Sequence, residues 1–445
     1  MVHEMTTVFS KSLRWLFLSL ASFALAPGPA GADVARPQVE ILYSGDLTGE
    51  LEPCGCSETG NLGGLKRRAT VIARIREKNP DTFVISSGGL FAGYSASERI
   101  TAEYILKGMA LLNYDAIGLQ KRDLSFGRDF LDHADLPWVA SSSAPLGFPK
   151  SRVIEKNGVR LAFFSWPDSA GPGLGGMQPA GASAQDDPFD LEAAIREAKQ
   201  AGAITVLATT LPLEKARALI SFDNLDILFK EASYEIYGEP RLLEKTLVLQ
   251  PGARGMYLGH LKLTLDRNNR IAGFEHEAIA MPAKVPDAPQ MEGWYKAYND
   301  AVKANYLRKV EVRKKMKSGA SPFSGAKACK ACHQKEHETW SASKHARAYK
   351  TLSNVEKAFD PNCLACHTLG FNQDGGFIDR QLTAGFANVQ CESCHGAARA
   401  HAGSGGTTPT PNHEWPRERM CAQCHNHDHS PDFDIERYWQ KIAHP

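Results

Sequence analysis

The feature that most constrains this chain is a five-residue pattern, Cys-x-x-Cys-His, that occurs four times near the C-terminal end. On a helical turn, two cysteines three positions apart lie on the same face. With a histidine following directly, this is the attachment signature of c-type haem, whose iron the histidine ligates. The sequence therefore predicts four covalently attached haem c groups. The predicted attachment cysteines and proximal ligands are Cys329, Cys332 and His333; Cys363, Cys366 and His367; Cys391, Cys394 and His395; and Cys421, Cys424 and His425.

Zinc binding and a disulfide framework are the competing interpretations of clustered cysteines. Zinc sites pair two Cys-x-x-Cys units without requiring a histidine after each one. Here a histidine follows every unit, and the four patterns use every cysteine after position 56. Haem attachment is therefore the favoured interpretation.

The sixth ligand of each iron can be narrowed by counting residue types. Between Ser321 and Pro445 the only methionine is Met420, which is adjacent to Cys421 and badly placed to reach a distal face. The distal ligands are therefore expected to be histidines or to be missing, which favours low-potential haems with two histidine ligands. The count alone leaves seven candidates, namely His337, His345, His401, His413, His427, His429 and His444.

Three segments of the C-terminal region match a known family, namely Trp340–Tyr349, Cys391–Gly396 with the nearby His401, and Tyr438–His444. Because of these segments, residues 321–445 resemble the tetrahaem cytochromes that take electrons from hydroxylamine oxidoreductase in nitrifiers. The resemblance implies three distal ligands. His345 would serve the haem of His425, His401 that of His333, and His444 that of His395.

In the same family the second haem, here that of His367, can be five-coordinate. This chain has other histidines that could fill its sixth position, so the reactivity of this haem stays open. The candidates are His337, His413, His427 and His429.

Residues 38–283 alternate short apolar runs with helical stretches, a rhythm that predicts an α/β layered domain. Apolar runs typical of strands are 39–43, 83–86, 161–165, 204–208 and 225–229. Four segments, 41–49, 63–69, 114–117 and 250–255, resemble the periplasmic nucleotidase branch of the calcineurin-like metallophosphoesterases. The expected fold class is therefore an α/β layered phosphoesterase-like domain followed by a mostly α-helical, haem-packed multihaem cytochrome domain.

The resemblance implies a dimetal site that this chain does not retain. The family binds two metals through Asp-x-His, Gly-Asp, Asn-His-Asp/Glu and later histidines, and the metals activate a water. Only Asp46 and Asp123 match, and the neighbouring Lys121 and Arg122 put positive charge where cations would bind. None of the histidines His133, His260 and His276 lies in a ligand motif. We expect a catalytically silent, pseudoenzyme-type domain.

The N-terminus has the composition of a secretory signal. Lys11 and Arg14 precede the apolar run 15–26, and small residues follow up to Ala32, after which cleavage is expected. A retained anchor is the alternative, although the run is short for a membrane span of about 20 residues. The expected plan is a signal peptide over 1–32, a phosphoesterase-like domain over 33–283, a basic helical linker over 284–320 and a tetrahaem domain over 321–445. The mature protein is expected in the periplasm or outside the cell.

Two further segments carry expectations. Residues 291–318 are rich in Lys, Arg and aromatic residues, which predicts an amphipathic helix that packs the two domains together. The basic residues are expected to form a solvated helix face. Nucleic-acid binding is not expected, because the net charge of the whole chain is only +1. Cys54 and Cys56 lie outside the haem patterns, and packed cysteines, metal binding and thiol exchange stay open for them.

The expected function is electron transfer with redox partner proteins, so the chain is interpreted as an electron carrier rather than an enzyme. Two alternatives remain. One is a redox enzyme that binds or reduces a small nitrogen oxide at an open haem of His367. The other is a bifunctional nucleotide phosphohydrolase joined to a cytochrome. Peripheral membrane association and the oligomeric state stay open.

Overall fold

The computed structural model describes residues 38–444 except 54, 56–59, 94–95, 142–145, 167–189, 231–238, 267–268, 317–319 and 427–428. The expected signal peptide, the cysteines Cys54 and Cys56, and the candidate ligand His427 therefore lie outside the described residues. Among the helices that are described, none is both long enough and apolar enough to cross a bilayer.

The N-terminal half is built on two six-stranded sheets. The first has the order β12-β11-β1-β2-β3-β4 and the second β5-β6-β7-β8-β10-β9. Strands β1 to β4 and strands β6, β7, β8 and β10 run parallel. The antiparallel strands β11 and β12 extend the first group on one side, and β5 and β9 lie on either side of the second. The strands are β1 Gln38–Ser44, β2 Phe83–Ser86, β3 Ala116–Gly118, β4 Trp138–Val139, β5 Arg152–Lys156, β6 Val159–Trp166, β7 Ile204–Thr209, β8 Ile227–Lys230, β9 Arg241–Leu243, β10 Thr246–Leu249, β11 Tyr257–Leu265 and β12 Ile271–Ala280.

Helices cover the outer faces of the two sheets and produce four layers. Because successive side chains of a strand point to opposite faces, Ile41 and Tyr43 of β1 enter the core between the sheets while Leu42 enters the outer core. The outer core of the first sheet includes α1 Leu65–Lys78 and α2 Ala96–Leu111. That of the second includes α3 Leu191–Gln200 and α4 Leu213–Leu219. The expected α/β layered fold is confirmed.

A 25-residue helix, α5 Glu292–Met316, joins the two halves. Its first turns place Trp294, Tyr298 and Val302 in the outer core of the first sheet. Its later turns place Tyr306 and Val310 in a separate core formed with the C-terminal region. The sequence-based expectation of a helix that packs against both halves agrees with these contacts.

The C-terminal region is formed by short helices with connecting turns, as expected for the cytochrome part of the fold class. Their own core combines Leu364 and Phe377 with the later turns of α5. The helices are α6 Ala326–Cys329, α7 Gln334–Ala342, α8 Ala348–Asn354, α9 Pro361–His367, α10 Cys391–His395, α11 Arg399–Gly403, α12 Arg417–Ala422 and α13 Ile435–Trp439.

Candidate haem-binding and phosphoesterase-like sites

All four Cys-x-x-Cys-His patterns lie on a helical turn. The second and third patterns are within α9 and α10. In the first and fourth, the backbone N–H of the histidine donates to the carbonyl of the first cysteine, at 2.9 Å from His333 to Cys329 and at 2.9 Å from His425 to Cys421. The turn therefore presents both cysteines and the histidine together, as haem attachment requires.

Within the described part of the chain, none of the eight cysteines of the patterns forms a disulfide, and the patterns lie side by side. A hydrogen bond with Cys391 lowers the pKa of Cys329, and one with Cys424 lowers the pKa of Cys366 to about 7. Burial, and then the charge of Cys421, raises the pKa of Cys394 to about 11. The first pattern thus adjoins the third, the second adjoins the fourth, and the third and fourth are close. No three His, Cys, Asp or Glu side chains in the described part of the chain converge as zinc requires.

Two polar side chains hold the first pattern in place, Glu392 within the third pattern and Gln390 directly before it. The sequence alone indicates no role for them. The buried Glu392 carboxylate accepts hydrogen bonds from the N–H groups of Ser324 and Gly325, at 3.0 and 2.7 Å. The buried Gln390 side chain accepts one from Ala326 N–H at 2.7 Å. Since these donors begin α6, the contacts place Cys329 beside α10. The only indication of this role in the sequence is that Glu392, an acidic residue, lies between the two cysteines of a haem pattern.

The structure brings together three pairs of histidine rings. His333 and His401 have ring centroids 6.0 Å apart. The centroid distance is 6.2 Å for His345 and His425 and 5.8 Å for His395 and His444. These are the pairs that the family resemblance implies, although the iron ligation itself stays a prediction.

The spacing of these rings fits an iron between them. Metal–imidazole bonds are about 2 Å long, so two rings that face each other across one ion have centroids roughly 6 Å apart. Burial lowers the pKa values of His345, His395 and His425, and a neighbouring histidine ring lowers the latter two further. The neutral imidazole that results is the form that binds a metal.

Hydrogen bonds also orient the rings. The Nδ1 atoms of His367 and His401 lie 2.7 Å from the carbonyl oxygens of Ala348 and Thr408, respectively. Because a carbonyl oxygen can only accept, Nδ1 carries the proton and Nε2 is left as the ligand atom. Both rings are therefore prepared to bind iron through Nε2.

His367 differs from the other predicted proximal ligands. Within the described part of the chain, no second histidine ring lies against it. Of the candidates for its sixth position, His337 contacts Trp340, and the Nδ1 atom of His413 lies 2.8 Å from Thr410 O.

The phosphoesterase-like site lies at the carboxyl ends of the parallel strands, where ligands bind in open α/β sheets. The buried Asp46 follows β1 with a positive φ of 45°. Its carboxylate accepts a hydrogen bond from Gln120 Nε2 at 2.8 Å. Gly45 must lack a side chain, because a Cβ there would lie 1.9 Å from Ser87 Oγ. Asp46, which matches the family motif, is therefore engaged by an amide, and this contact joins loops 74 positions apart without any signal in the sequence.

The other residue that matches the family motif, Asp123, has a structural role. Its side chain is completely buried and accepts hydrogen bonds from the N–H groups of Gly89, Leu90 and Gln120 at 2.9, 2.6 and 2.9 Å. Burial raises its pKa to about 6, against the lowering effect of these bonds. Lys121 and Arg122 begin the same 3-10 helix, so positive charge lies where the family resemblance would require metal ligands.

The histidines of the N-terminal half are engaged elsewhere. His133 Nδ1 lies 2.9 Å from Phe130 O. His260 Nε2 lies 2.9 Å from Glu40 Oε2, and His276 Nε2 lies 2.9 Å from Tyr43 Oη. Each of the three rings therefore lies against a polar atom of the N-terminal half.

Comparison with known proteins relates the C-terminal region to a cytochrome family. Residues 328–396 match the family described as cytochrome c554 and c-prime, a range that holds three of the four haem patterns. Cytochrome c-554 of Nitrosomonas europaea is 31% identical in an alignment 143 residues long that covers 25% of this chain and 61% of that protein. The chain thus spans less than two thirds of this relative. The match supports a c-type cytochrome region that binds haem c covalently.

The N-terminal half matches nucleotidases. Snake venom 5'-nucleotidase of Crotalus adamanteus is 25% identical in an alignment 126 residues long that covers 26% of this chain and 21% of that protein. A 5'-nucleotidase precursor from Thermus thermophilus is 18% identical, with a TM-score of 0.48 over 60% of this chain and 59% of that chain. The sulfate thiohydrolase SoxB, from the same organism, is 16% identical, with a TM-score of 0.48 over 59% and 60%. Both TM-scores lie below 0.5. The phosphoesterase-like fold of this half is therefore supported by its layered sheet topology and by the match in sequence.

Proposed function

We propose that this chain is an exported, periplasmic c-type cytochrome that holds four haem c groups and transfers electrons between redox partner proteins. The observation that carries this proposal is the set of three histidine ring pairs, whose centroids lie 5.8 to 6.2 Å apart. The phosphoesterase-like half is then a catalytically silent docking or assembly module. An unchanged electron-transfer rate in a chain that lacks residues 33–283 would remove the docking role.

The cysteines and the histidine of each pattern would have different roles in binding a haem. The two cysteines attach the porphyrin through thioether bonds, and the histidine binds its iron. When bound, haem c supplies an iron that alternates between ferric and ferrous states and so carries one electron. Pairs of histidine ligands favour low reduction potentials, and hydrogen bonds such as that of His401 Nδ1 to Thr408 O keep the ring orientation constant.

The packing of the patterns gives the order in which electrons would pass. Cys329 adjoins Cys391, Cys394 is close to Cys421, and Cys424 adjoins Cys366. The attachment sites therefore form a continuous series from the first pattern through the third and fourth to the second. Such a series lets an electron enter at one end and leave at the other without any bond chemistry.

A redox enzyme is the second candidate, and the surroundings of His367 favour it. Within the described residues this ring faces no second histidine, while its Nδ1 atom is fixed by Ala348 O at 2.7 Å. A haem held on one side only could bind a small nitrogen oxide on the other. The chain would then act as an enzyme at its second haem and as a carrier at the other three.

Low-temperature EPR of the oxidised protein, with CO added to the reduced protein, tests both candidates. We expect low-spin signals from the three haems of the paired histidines, because two imidazole ligands leave no open position. If the haem of His367 is also low-spin and inert to CO, the chain is a dedicated carrier. A high-spin signal that responds to CO selects the enzyme. Fewer than three low-spin haems would contradict the proposal.

A phosphohydrolase assay tests the silent character of the N-terminal half. We expect no metal-dependent release of phosphate from nucleotides with Mg²⁺ or Mn²⁺, because the Asp46 carboxylate is bonded to Gln120. Asp46→Ala should instead lower the free energy of unfolding by about 1–3 kcal/mol, since it removes the closer of the two acceptors of the buried Gln120 amide and leaves only Ser87 O at 3.4 Å. Urea unfolding measures this, with Asp300→Ala, from an exposed ion pair, as the control. Phosphate release that Asp46→Ala abolishes would establish the bifunctional phosphohydrolase.

A further inference from the structure

A half-buried polar cluster lies where the phosphoesterase-like half meets the haem-binding region. Lys357 Nζ donates to Asn299 Oδ1 at 2.8 Å and forms an ion pair with Glu52. The Tyr295 hydroxyl donates to the same Glu52 carboxylate. The side chains of Lys357 and Glu52 are only 14% and 25% exposed, so water screens this pair weakly. The cluster joins a loop of the first half, helix α5 and the C-terminal region.

Lys357 is tied directly to the helix that bears the second haem pattern. The backbone N–H of Asp360 donates to Lys357 O at 3.0 Å, and the Asp360 carboxylate accepts from Asn362 N–H at 3.0 Å as the N-cap of α9. Leu364 N–H then donates to Asp360 O at 2.9 Å. These bonds connect the ion pair to the first turn of α9, which bears Cys363, its first attachment cysteine.

The charges of the cluster reach the attachment site. The Asp360, Lys357 and Glu52 side chains all lie close enough to the Cys363 sulfur to act on it electrostatically, Lys357 as a cation and the two carboxylates as anions. Burial alone would lower the pKa of Lys357, but Glu52 and Tyr295 raise it, so the ammonium group stays charged. Two opposite charges from different halves of the chain therefore act on the same site.

We propose that the Glu52–Lys357 ion pair sets the reduction potential of the haem attached at Cys363 and Cys366. The inference rests on the proposed haem-binding function and assigns to the phosphoesterase-like half a regulatory role at one haem. Reduction adds one electron to the ferric iron and so lowers the positive charge of the site by one. A nearby cation therefore stabilises the reduced form, and a nearby anion stabilises the oxidised form.

The position of Glu52 links this effect to the phosphoesterase-like site at Asp46. Its loop begins at Asp46 and includes Glu50, whose carboxylate pairs with Arg254 Nη2 at 2.9 Å. The loop is held by hydrogen bonds from Thr48 N–H to Gly89 O and from Leu65 N–H to Leu51 O, at 2.9 and 3.0 Å. A shift of this loop would change the distance between the Glu52 carboxylate and the Lys357 ammonium group.

Spectroelectrochemical titration of the full chain, with its haems attached, tests the proposal. Lys357→Met should lower one of the four midpoint potentials, because Glu52 is then left without its counter-charge. Glu52→Gln should raise the same potential, and the double variant should return it toward the original value. Lys296→Met removes a charge from an ion pair whose side chains are 77% and 63% exposed, and it should shift none of the potentials.

The opposite signs separate an electrostatic role from a merely structural one. Loss of packing would move both single variants in one direction and lower their haem content or melting temperature. In the Cys363→Ser/Cys366→Ser background, Lys357→Met should leave the remaining potentials unchanged. Four reversible haems with no shift in either single variant would overturn the inference alone. Absence of reversible haems in the unsubstituted chain would overturn the proposed function instead.

Discussion

Replacing Cys391 and Cys394 with serine is expected to lower the haem content from four to three per chain and to interrupt electron transfer through the protein. Serine cannot form the thioether bonds, so the third haem is lost. The third pattern lies between the others, since Cys391 adjoins Cys329 and Cys394 is close to Cys421. Its loss leaves the first haem without a neighbour.

Haem content is measured by the absorbance of the denatured haem per chain, and electron passage by stopped-flow reduction of the remaining haems. The matched control is Cys329→Ser/Cys332→Ser, which removes a haem at the end of the series. That variant should also hold three haems, but its remaining haems should be reduced together. If both double variants are reduced with the same kinetics, the proposed order of the haems is wrong.

Replacing His401 with alanine is expected to convert the first haem from six-coordinate low-spin to five-coordinate high-spin iron. The centroid of the His401 ring lies 6.0 Å from that of His333. The only methionine of residues 321–445 is Met420, beside Cys421, so no methionine is expected to replace His401 as the sixth ligand. About one additional CO per chain should then bind to the reduced protein, because a coordination position is open. EPR and CO difference spectra measure the change.

His413 provides the control for this variant. It is a candidate by sequence alone, but its ring is bonded to Thr410 O and pairs with Glu414. His413→Ala should leave the EPR spectrum and CO binding unchanged. A low-spin first haem in His401→Ala would contradict the pairing of His401 with His333.

Several features of the fold could be predicted from local patterns. The runs 83–86 and 204–208 are strands because fully buried parallel strands read as continuous apolar segments, and β2 and β7 cover them. The helical linker is observed as α5, whose aromatic residues Trp294 and Tyr306 enter different cores. These predictions hold because each depends on a short stretch of sequence.

Other features could not be predicted, because they join residues far apart in the chain. Lys357 and Glu52 are 305 positions apart, and Gln120 and Asp46 are 74 apart. The role of Glu392 in holding α6 depends on N–H groups 67 and 68 positions away. No local pattern distinguishes these polar residues from solvent-exposed ones.

The amino-acid sequence by itself determined the haem patterns and their proximal histidines, since attachment needs only five consecutive residues on one helical turn. It also determined the alternation of strands and helices in the first half. Only the tertiary structure decided which histidine rings face each other, how the four patterns adjoin and which charges surround the second pattern. The reason is that ligation, burial and Coulomb interactions depend on distances between side chains, and these are set by the packing of the whole chain.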